Sequence, residues 1–341
     1  MTSEFRLSVA IPVHNEETVL PELLRRTKAV LDGLPGGPHQ LLFVDDGSSD
    51  RTLEILEQAA CNDPRVAAIS FSRNFGHQAA LTAALDHATG DAVVLMDGDL
   101  QDPPETIPVF VERFQQGYDV VYATRASRKE SWWLKFCYYL FYRLQSMLSE
   151  TRLPLDAGDF GLMSRRVFEQ VRNMPERHRY LRGLRSWVGF RQVGIPVDRA
   201  ERYSGDSKYS LLKLLRLASD GIFAFSTVPL RAATLLGALA IGLCGLYAIY
   251  SLYAKFFLSQ TPRGFTTLVY LITFLSGVLL FFLGIIGEYV GRIYEEIKAR
   301  PVYIVKTTFG INLPTMLVND VSQNSQGGTA GTAEICAKSG D

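Results

Sequence analysis

VVLMDGDLQDPP, residues 93–104, passes from apolar side chains into a cluster of carboxylates and then into two prolines. The run Ala92 to Met96 reads as a buried strand, and the prolines keep a helix from starting before Glu105. The acids therefore fall at a strand's carboxyl end. If the backbone stays extended beyond Met96, Asp97, Asp99 and Gln101 take alternate positions and point to one face. Three oxygen donors on one face suit Mg²⁺ or Mn²⁺, hard cations that share carboxylates with the phosphates of a substrate. An acidic solvated turn is the competing reading of an isolated Asp-x-Asp.

Three strand–helix units lead up to this stretch. Leu7 to Val13 breaks at His14-Asn15-Glu16-Glu17 into a helical pattern over Thr18 to Leu31. Leu41 to Val44 ends in DDGSSD, residues 45–50, where Ser49 or Asp50 can cap the helix Thr52 to Ala60. Val66 to Phe71 ends in SRNFGH, residues 72–77, ahead of an alanine-rich helix, Gln78 to Ala88. Strand and helix thus alternate, with polar residues gathered after each strand, as in a parallel α/β sheet whose site lies at the carboxyl ends. Asp45 and Asp46 can accept hydrogen bonds from the base and ribose of a nucleotide. Pro12, His14, Asn15 and Glu16 form the facing wall, and Arg73 is available to base or diphosphate. Taken alone, DDGSSD fits turn-and-cap chemistry equally well.

The 341 residues, 47% of them hydrophobic, suffice for one large domain or two ordinary ones. Lysine plus arginine and aspartate plus glutamate number 35 each, so the overall charge gives no reason to expect a nucleic-acid partner. The balance is local instead. Residues 121–216 hold 19 basic against 9 acidic side chains, which suits anionic lipid or phosphate. Cys61, Cys137, Cys244 and Cys336 are scattered, indicating neither a zinc site nor a disulfide framework and suggesting a reducing, cytosolic setting. The N-terminus lacks the basic segment and cleavage site of a signal peptide, so the first domain is expected to stay in the cytoplasm.

Residues 232–254 and 265–287 are each 23 residues without a charge, more than the ~20 needed to span a bilayer, and are expected to be two transmembrane helices. Arg231 before them and Arg292, Lys298 and Arg300 after them place both outer ends in the cytoplasm. Residues 132–149 and 209–225, rich in aromatics with interspersed lysine and arginine, read as interfacial helices, although core helices would share the aromatics. Gly287 and Gly291 would allow close helix packing and hint at a homo-oligomer. The expected domains are a cytoplasmic catalytic unit at 1–227, a membrane unit at 228–306 and a disordered polar tail at 307–341.

AIPVHNEE, FVDDGSSDRT, SRNFGHQAAL and LMDGDLQDPPE occur in the order found in family 2 glycosyltransferases, which the chain resembles over roughly residues 5–306. DAGDFGLMSRRV (156–167), AERYSGDSKYS (200–210) and GEYVGRIYEEIKARPVYIV (287–305) resemble the polyprenyl-phosphate members, bactoprenol glucosyltransferases and aminoarabinose-type enzymes above all. The resemblance implies a GT-A fold, a mostly parallel Rossmann-like α/β sheet followed by two membrane helices. It implies an inverting, metal-dependent transfer of a hexose from a nucleotide sugar to a polyprenyl phosphate at the cytoplasmic face of a bacterial inner membrane. UDP-glucose is the favoured donor, with mannose, N-acetylglucosamine and formylated aminoarabinose as alternatives, and a polysaccharide synthase with a hydroxyl acceptor as the rival activity.

Carried over residue by residue, the pattern makes Asp97, Asp99 and Gln101 the site for Mg²⁺ or Mn²⁺ and for the diphosphate, and puts Asp45 and Asp46 in the nucleotide pocket. Arg125, Arg128, Arg202, Ser207 and Lys208 match basic and polar positions around the acceptor phosphate. Asp156 or Asp159 would orient a substrate or act as a weak base, a choice the sequence leaves open. Gly98 stands where the family often has alanine, which implies a slightly looser turn and an unchanged cation site.

Overall fold

The computed structural model describes residues 5–125, 157–177, 179–198, 228–257 and 264–311. The opening units form as the sequence predicts: β1 (Leu7–Val13), α1 (Leu20–Asp32), β2 (Gln40–Asp45), α2 (Thr52–Asn62), β3 (Val66–Phe71), α3 (His77–His87) and β4 (Ala92–Leu95). These four strands pair in parallel, β1 lying between β2 and β4, and β3 beyond β2. Nearly all their residues are buried, because helices cover both faces, and for that reason they read as unbroken apolar runs. Val9, Ile11, Leu41 and Phe43 pack on one face with Leu20, Leu23 and Leu56 from α1 and α2. On the other, Ala10, Leu42, Val44 and Ile69 pack with the small residues Ala80, Ala83 and Ala84 of α3.

Beyond β4 the parallel pattern stops. A 3₁₀ turn at Pro104–Thr106 leads to α4 (Ile107–Gln115) and β5 (Val120–Arg125), so the first helical turn begins at the second proline rather than after it. The strand β6 (Ala157–Ser164) lies antiparallel between β4 and β5, and β7 (Gln192–Val197) runs parallel outside β5. Between β6 and β7 come α5 (Arg165–Arg172) and α6 (Leu181–Trp187). The sheet is therefore mixed, and the reversal has a direct use. Because β6 runs against β4, its beginning lies where β4 ends, and Asp159 is delivered to the edge that holds Asp97.

Two long helices follow, α7 (Val228–Phe257) and α8 (Phe265–Ile297). Within α8, Leu271–Ile297 is long and apolar enough to cross a membrane, whereas the apolar stretch identified in α7 is the shorter Leu235–Tyr247. The expected interfacial helices at 132–149 and 209–225 lie outside the described residues, as does everything after residue 311.

The chain then returns to the sheet, contrary to the tail expected from residue 307. Ser72 donates its backbone N–H to Ile304 O at 3.0 Å, and β8 (Val305–Phe309) pairs antiparallel with β3 as an edge strand. No apolar run announces β8, because its five residues, VKTTF, include a lysine and two threonines. Tyr303 fixes the approach: its ring stacks on Phe71 at 5.0 Å, and its hydroxyl donates to Asp86 Oδ2 at 2.9 Å. A second correction concerns Cys61, at the exposed end of α2, which is disulfide-bonded although cysteine spacing suggested no pairing.

Burial pushes the Asp86 carboxyl up from its ordinary pKa, and the Tyr303 hydroxyl opposes that shift. Tyr303→Phe keeps the stack but leaves the half-buried carboxyl without this donor. The expected loss is about 1–2 kcal/mol of stability, read as a lower denaturation midpoint of the detergent-solubilised protein, and an unchanged midpoint would show that the hydroxyl contributes nothing.

Candidate active site

The loops after β1 and β2 are neighbours and are hydrogen-bonded into one wall. Asn15, exposed and left-handed at φ 55, receives the N–H of Ser49 on its Oδ1 at 2.8 Å and donates its own N–H to Ser48 Oγ at 2.9 Å. Glu16 donates its N–H to Thr52 Oγ1, and the Glu17 N–H goes to Asp50 Oδ2. Pro12 is buried within β1, and His14 is exposed at the rim.

Asp45 and Asp46 are buried at the end of β2, and the structure engages both carboxylates internally. Asp45 accepts from Ser48 N–H at 3.0 Å and from the Ser70 hydroxyl at 2.6 Å, which shapes the turn and ties it to β3. Asp46 accepts from the backbone N–H groups of Phe75 and Gly76 at 2.6 and 2.9 Å and so fixes the entry to α3. Its burial raises the pKa, and these two N–H donors work against that rise. Gly47 makes the arrangement possible: at φ +67, a Cβ here would lie 2.5 Å from the Arg73 carbonyl carbon. Arg73 itself is exposed, with its guanidinium 4.1 Å from the centre of the Phe75 ring.

At the opening stretch the extended backbone expected beyond Met96 does not form. β4 ends at Leu95, the chain turns, and Leu100 adopts φ 58. Asp99 Oδ1 accepts the N–H of Gln101 at 3.1 Å, a local side-chain turn of the sort that carboxylates favour, so Asp97, Asp99 and Gln101 do not share a face through strand alternation. Gly98 is not merely a looser alanine. A Cβ there would lie 2.9 Å from both Pro12 O and Val13 Cγ1, so glycine lets the acidic turn close onto β1. Two carboxylates and a carboxamide remain a fitting donor set for a hard cation that completes its shell with water and phosphate oxygens. Among the described residues, no group of three His, Cys, Asp or Glu side chains is arranged to hold a metal ion by itself.

Asp159 occupies the centre of this edge. Its oxygens accept from Arg182 Nε and Nη2, each at 2.7 Å, in a bidentate pair. His77, at the first turn of α3, bridges to the acidic turn, its Nε2 3.6 Å from Asp97 Oδ1 and 3.8 Å from Asp159 Oδ2. Burial pushes the Asp159 pKa up, but His77 and Arg182 together hold it well below the usual carboxylate range. For His77 the balance has the same character: burial lowers its pKa, and the two carboxylates more than reverse that. One helical turn beyond Arg182, Arg185 is buried and donates to Gly158 O at 3.1 Å, its pKa brought down to about 10 by burial.

The structure thus brings Asp97, Asp99, Gln101 and Asp159 to one end of the sheet, with the wall of residues 12–16 and 45–49 beside them. Arg125 closes β5 at the same end. Asp156, Arg128, Arg202, Ser207 and Lys208 lie outside the described residues. His77, Arg182 and Arg185 emerge only here. His77 sits in the SRNFGHQAAL segment, and the two arginines recur three apart in LRGLRSW, a spacing that puts both on one helix face without naming their partner.

Asp159→Asn leaves the Arg182 guanidinium without its counter-charge and is expected to cost about 3 kcal/mol at neutral pH. The folded-state pKa of Asp159 is depressed below 3.8, so the pair's contribution is complete above that pH and is lost only as pH falls further. Because His77 gains its charge beside Asp159 as pH falls from 7 to about 5, the denaturation midpoints of wild type and variant should not draw together over that range and should converge only in strong acid, whereas convergence already at pH 5 would contradict a depressed pKa.

Residues 8–172 match the family described as Glycosyl transferase family 2. The uncharacterized glycosyltransferase YkcC of Bacillus subtilis is 46% identical over 91% of this chain and 96% of its own. The prophage bactoprenol glucosyl transferase homolog of Escherichia coli is 40% identical over 88% of this chain and 98% of its own. The undecaprenyl-phosphate 4-deoxy-4-formamido-L-arabinose transferase of Edwardsiella ictaluri is 37% identical over 90% of this chain and 95% of its own. With relatives this similar along nearly its whole length, and with its acids gathered at the carboxyl ends of a parallel strand set, the chain belongs to glycosyltransferase family 2.

Proposed function

We propose that this protein transfers a hexose, glucose from UDP-glucose in the first instance, to polyprenyl phosphate with inversion at the anomeric carbon. The observation that carries this reading is the meeting of the Asp97–Gln101 turn with the Asp159–Arg182 pair at one sheet end, in a chain whose relatives include bactoprenol glucosyl transferases. The nucleotide lies against the wall of Pro12, His14, Asn15 and Glu16, whose shape Asp45 and Asp46 maintain, and Arg73 is placed at its rim. Asp97, Asp99 and Gln101 would hold Mg²⁺ or Mn²⁺, whose positive charge, when bound, would offset the negative charge developing on the leaving diphosphate.

The state of Asp159 favours a phosphate acceptor over a hydroxyl. A hydroxyl acceptor needs a base with appreciable proton affinity, and a carboxylate held far below its ordinary pKa by Arg182 has little. A lipid phosphate is already ionised at neutral pH and asks only to be oriented. Asp159 accordingly keeps Arg182 and His77 in place around the reacting groups. Arg125, with Arg128, Arg202, Ser207 and Lys208, receives the acceptor phosphate, and both α7 and α8 span the cytoplasmic membrane with the catalytic unit on its inner face.

Radiolabelled UDP-glucose incubated with undecaprenyl phosphate, Mg²⁺ and the detergent-solubilised protein should yield label that partitions into chloroform. Asp99→Ala should lower that yield by about 100-fold or more while leaving the denaturation midpoint near that of wild type, since the group removed sits in a solvated turn and acts on the leaving diphosphate. Label confined to water-soluble polymer, or full transfer by the variant, would falsify the assignment. Replacing UDP-glucose with UDP-N-acetylglucosamine or GDP-mannose in the same assay identifies the sugar.

A further inference from the structure

Where the end of α8 meets the sheet, a cleft of about 310 Å³ opens, separate from the acidic turn. Phe75 and Gln78 wall it from the start of α3, Arg177 and Arg179 from the connection between α5 and α6, and Glu295 and Arg300 from the end of α8 and the segment after it. Three guanidinium groups thus face one carboxylate, and Lys298 engages that carboxylate at 2.9 Å.

The three arginines are held in different ways. Arg179 is fixed by donating Nε to Glu176 O and Nη2 to the carbonyls of Arg172 and Met174, the C-terminal end of α5. Its Nη1 is buried and has no hydrogen-bond partner among the described residues. Arg177 is positioned through its backbone N–H, which donates to the Glu296 carboxylate of α8 at 3.1 and 3.2 Å. Among the described residues, neither the Arg177 nor the Arg300 guanidinium pairs with a carboxylate. Unpaired guanidinium donors converging on a cleft suit the tetrahedral oxygens of a phosphate.

Position says which phosphate. The cleft adjoins the end of Leu271–Ile297, the stretch long and apolar enough to cross a membrane. Its inner wall, Gln78, follows His77, which reaches Asp97 and Asp159. Gln78 Oε1 also accepts the N–H of Leu181, the residue before Arg182. The cleft therefore stands between the membrane end of α8 and the reacting centre.

The geometry points to a lipid-phosphate subsite in this cleft, with Arg177, Arg179 and Arg300 as its donors, where the acceptor's phosphate is held before it passes to Arg125 and its neighbours for reaction. This rests on the proposed transfer to a polyprenyl phosphate. Undecaprenyl phosphate and phosphatidylglycerol both carry the needed group, and binding to each separates them.

Native mass spectrometry of the full chain in detergent, titrated with undecaprenyl phosphate, with phosphatidylglycerol and with phosphatidylcholine, reads the subsite directly. Arg300→Gln and Arg177→Gln should each weaken undecaprenyl phosphate binding by about tenfold, the loss of one charge-assisted contact, while Arg25→Gln on the distant α1 surface should not. Arg300 is exposed and fixes no other group, so its variant is expected to fold, whereas Arg179 is spared because it caps α5. A loss confined to phosphatidylglycerol would keep the phosphate subsite but overturn its assignment to the acceptor. Unchanged binding of both lipids in both variants would overturn the subsite itself. Wild-type protein that binds undecaprenyl phosphate through Arg300 yet transfers no sugar would instead overturn the proposed reaction and leave the cleft standing.

Discussion

A carboxylate that is almost fully buried must either give up its charge or be surrounded by groups that hold it. Asp159 keeps its charge, and the reacting end of the sheet is arranged around that fact. One counter-charge comes from α6 as Arg182 and a second from α3 as His77, so two helices from distant parts of the chain are pinned to a single strand. Each partner is itself fixed. Asp46 receives the two N–H groups that lead into α3, and Gln78 receives the N–H that opens α6. Loosening any one link would move His77 or Arg182 relative to Asp97, and the acidic turn with them. The cost of that order is borne mainly by backbone hydrogen bonds to buried carboxylates, contacts that strengthen in a low-dielectric setting and do not depend on salt.

Burial explains which parts of this arrangement were legible in the sequence. β1 to β4 are covered on both faces, so they appear as apolar runs, and their ends appear as abrupt bursts of polar residues. Both signals survive without any tertiary information. The mixed half of the sheet lacks them. Nothing local in AGDFGLMS tells an antiparallel strand from a parallel one, and β8 carries too many polar residues to announce itself. The acidic turn failed for another reason: alternation of side chains holds only while φ stays extended, and Leu100 departs from it two residues after Gly98. His77 and Arg182 were invisible because a counter-ion is defined by what it touches across the fold. Arg182 stands 23 residues after Asp159 and His77 lies on a different helix far ahead of it, so no fixed spacing marks either as its partner.

The same electrostatics also separates roles that the sequence left merged. Asp45 and Asp46 look like exposed acceptors in DDGSSD, yet each spends both oxygens within the protein. They shape the loop, so their loss would be felt first as disorder of the wall. Asp97 and Asp99 differ in kind. They lie on a turn that is partly exposed, where Asp99 accepts the Gln101 N–H and Asp97 lies 3.6 Å from His77 Nε2. Acids that look alike in the sequence therefore divide into buried supports and accessible donors, with burial and partner as the dividing line.

The last turns of α8 tie that helix to the reacting edge of the sheet. The charge-free stretch ends at Gly287, but the helix continues for ten residues, about 15 Å, to Ile297. Along these turns the exposed apolar side chains Val290, Ile293, Tyr294 and Ile297 recur at helical spacing and form one open stripe. To one side of the stripe Glu296 binds the Arg177 backbone, so the same turns carry an open apolar face and a contact with the catalytic unit. Arg300 lies three residues beyond Ile297, where that stripe and the helix end. Tyr303 and β8 then join this point rigidly to β3, next to the strand that ends in Asp45. The end of α8 and the edge of the sheet are thus joined by one continuous segment, so the position of one constrains the position of the other.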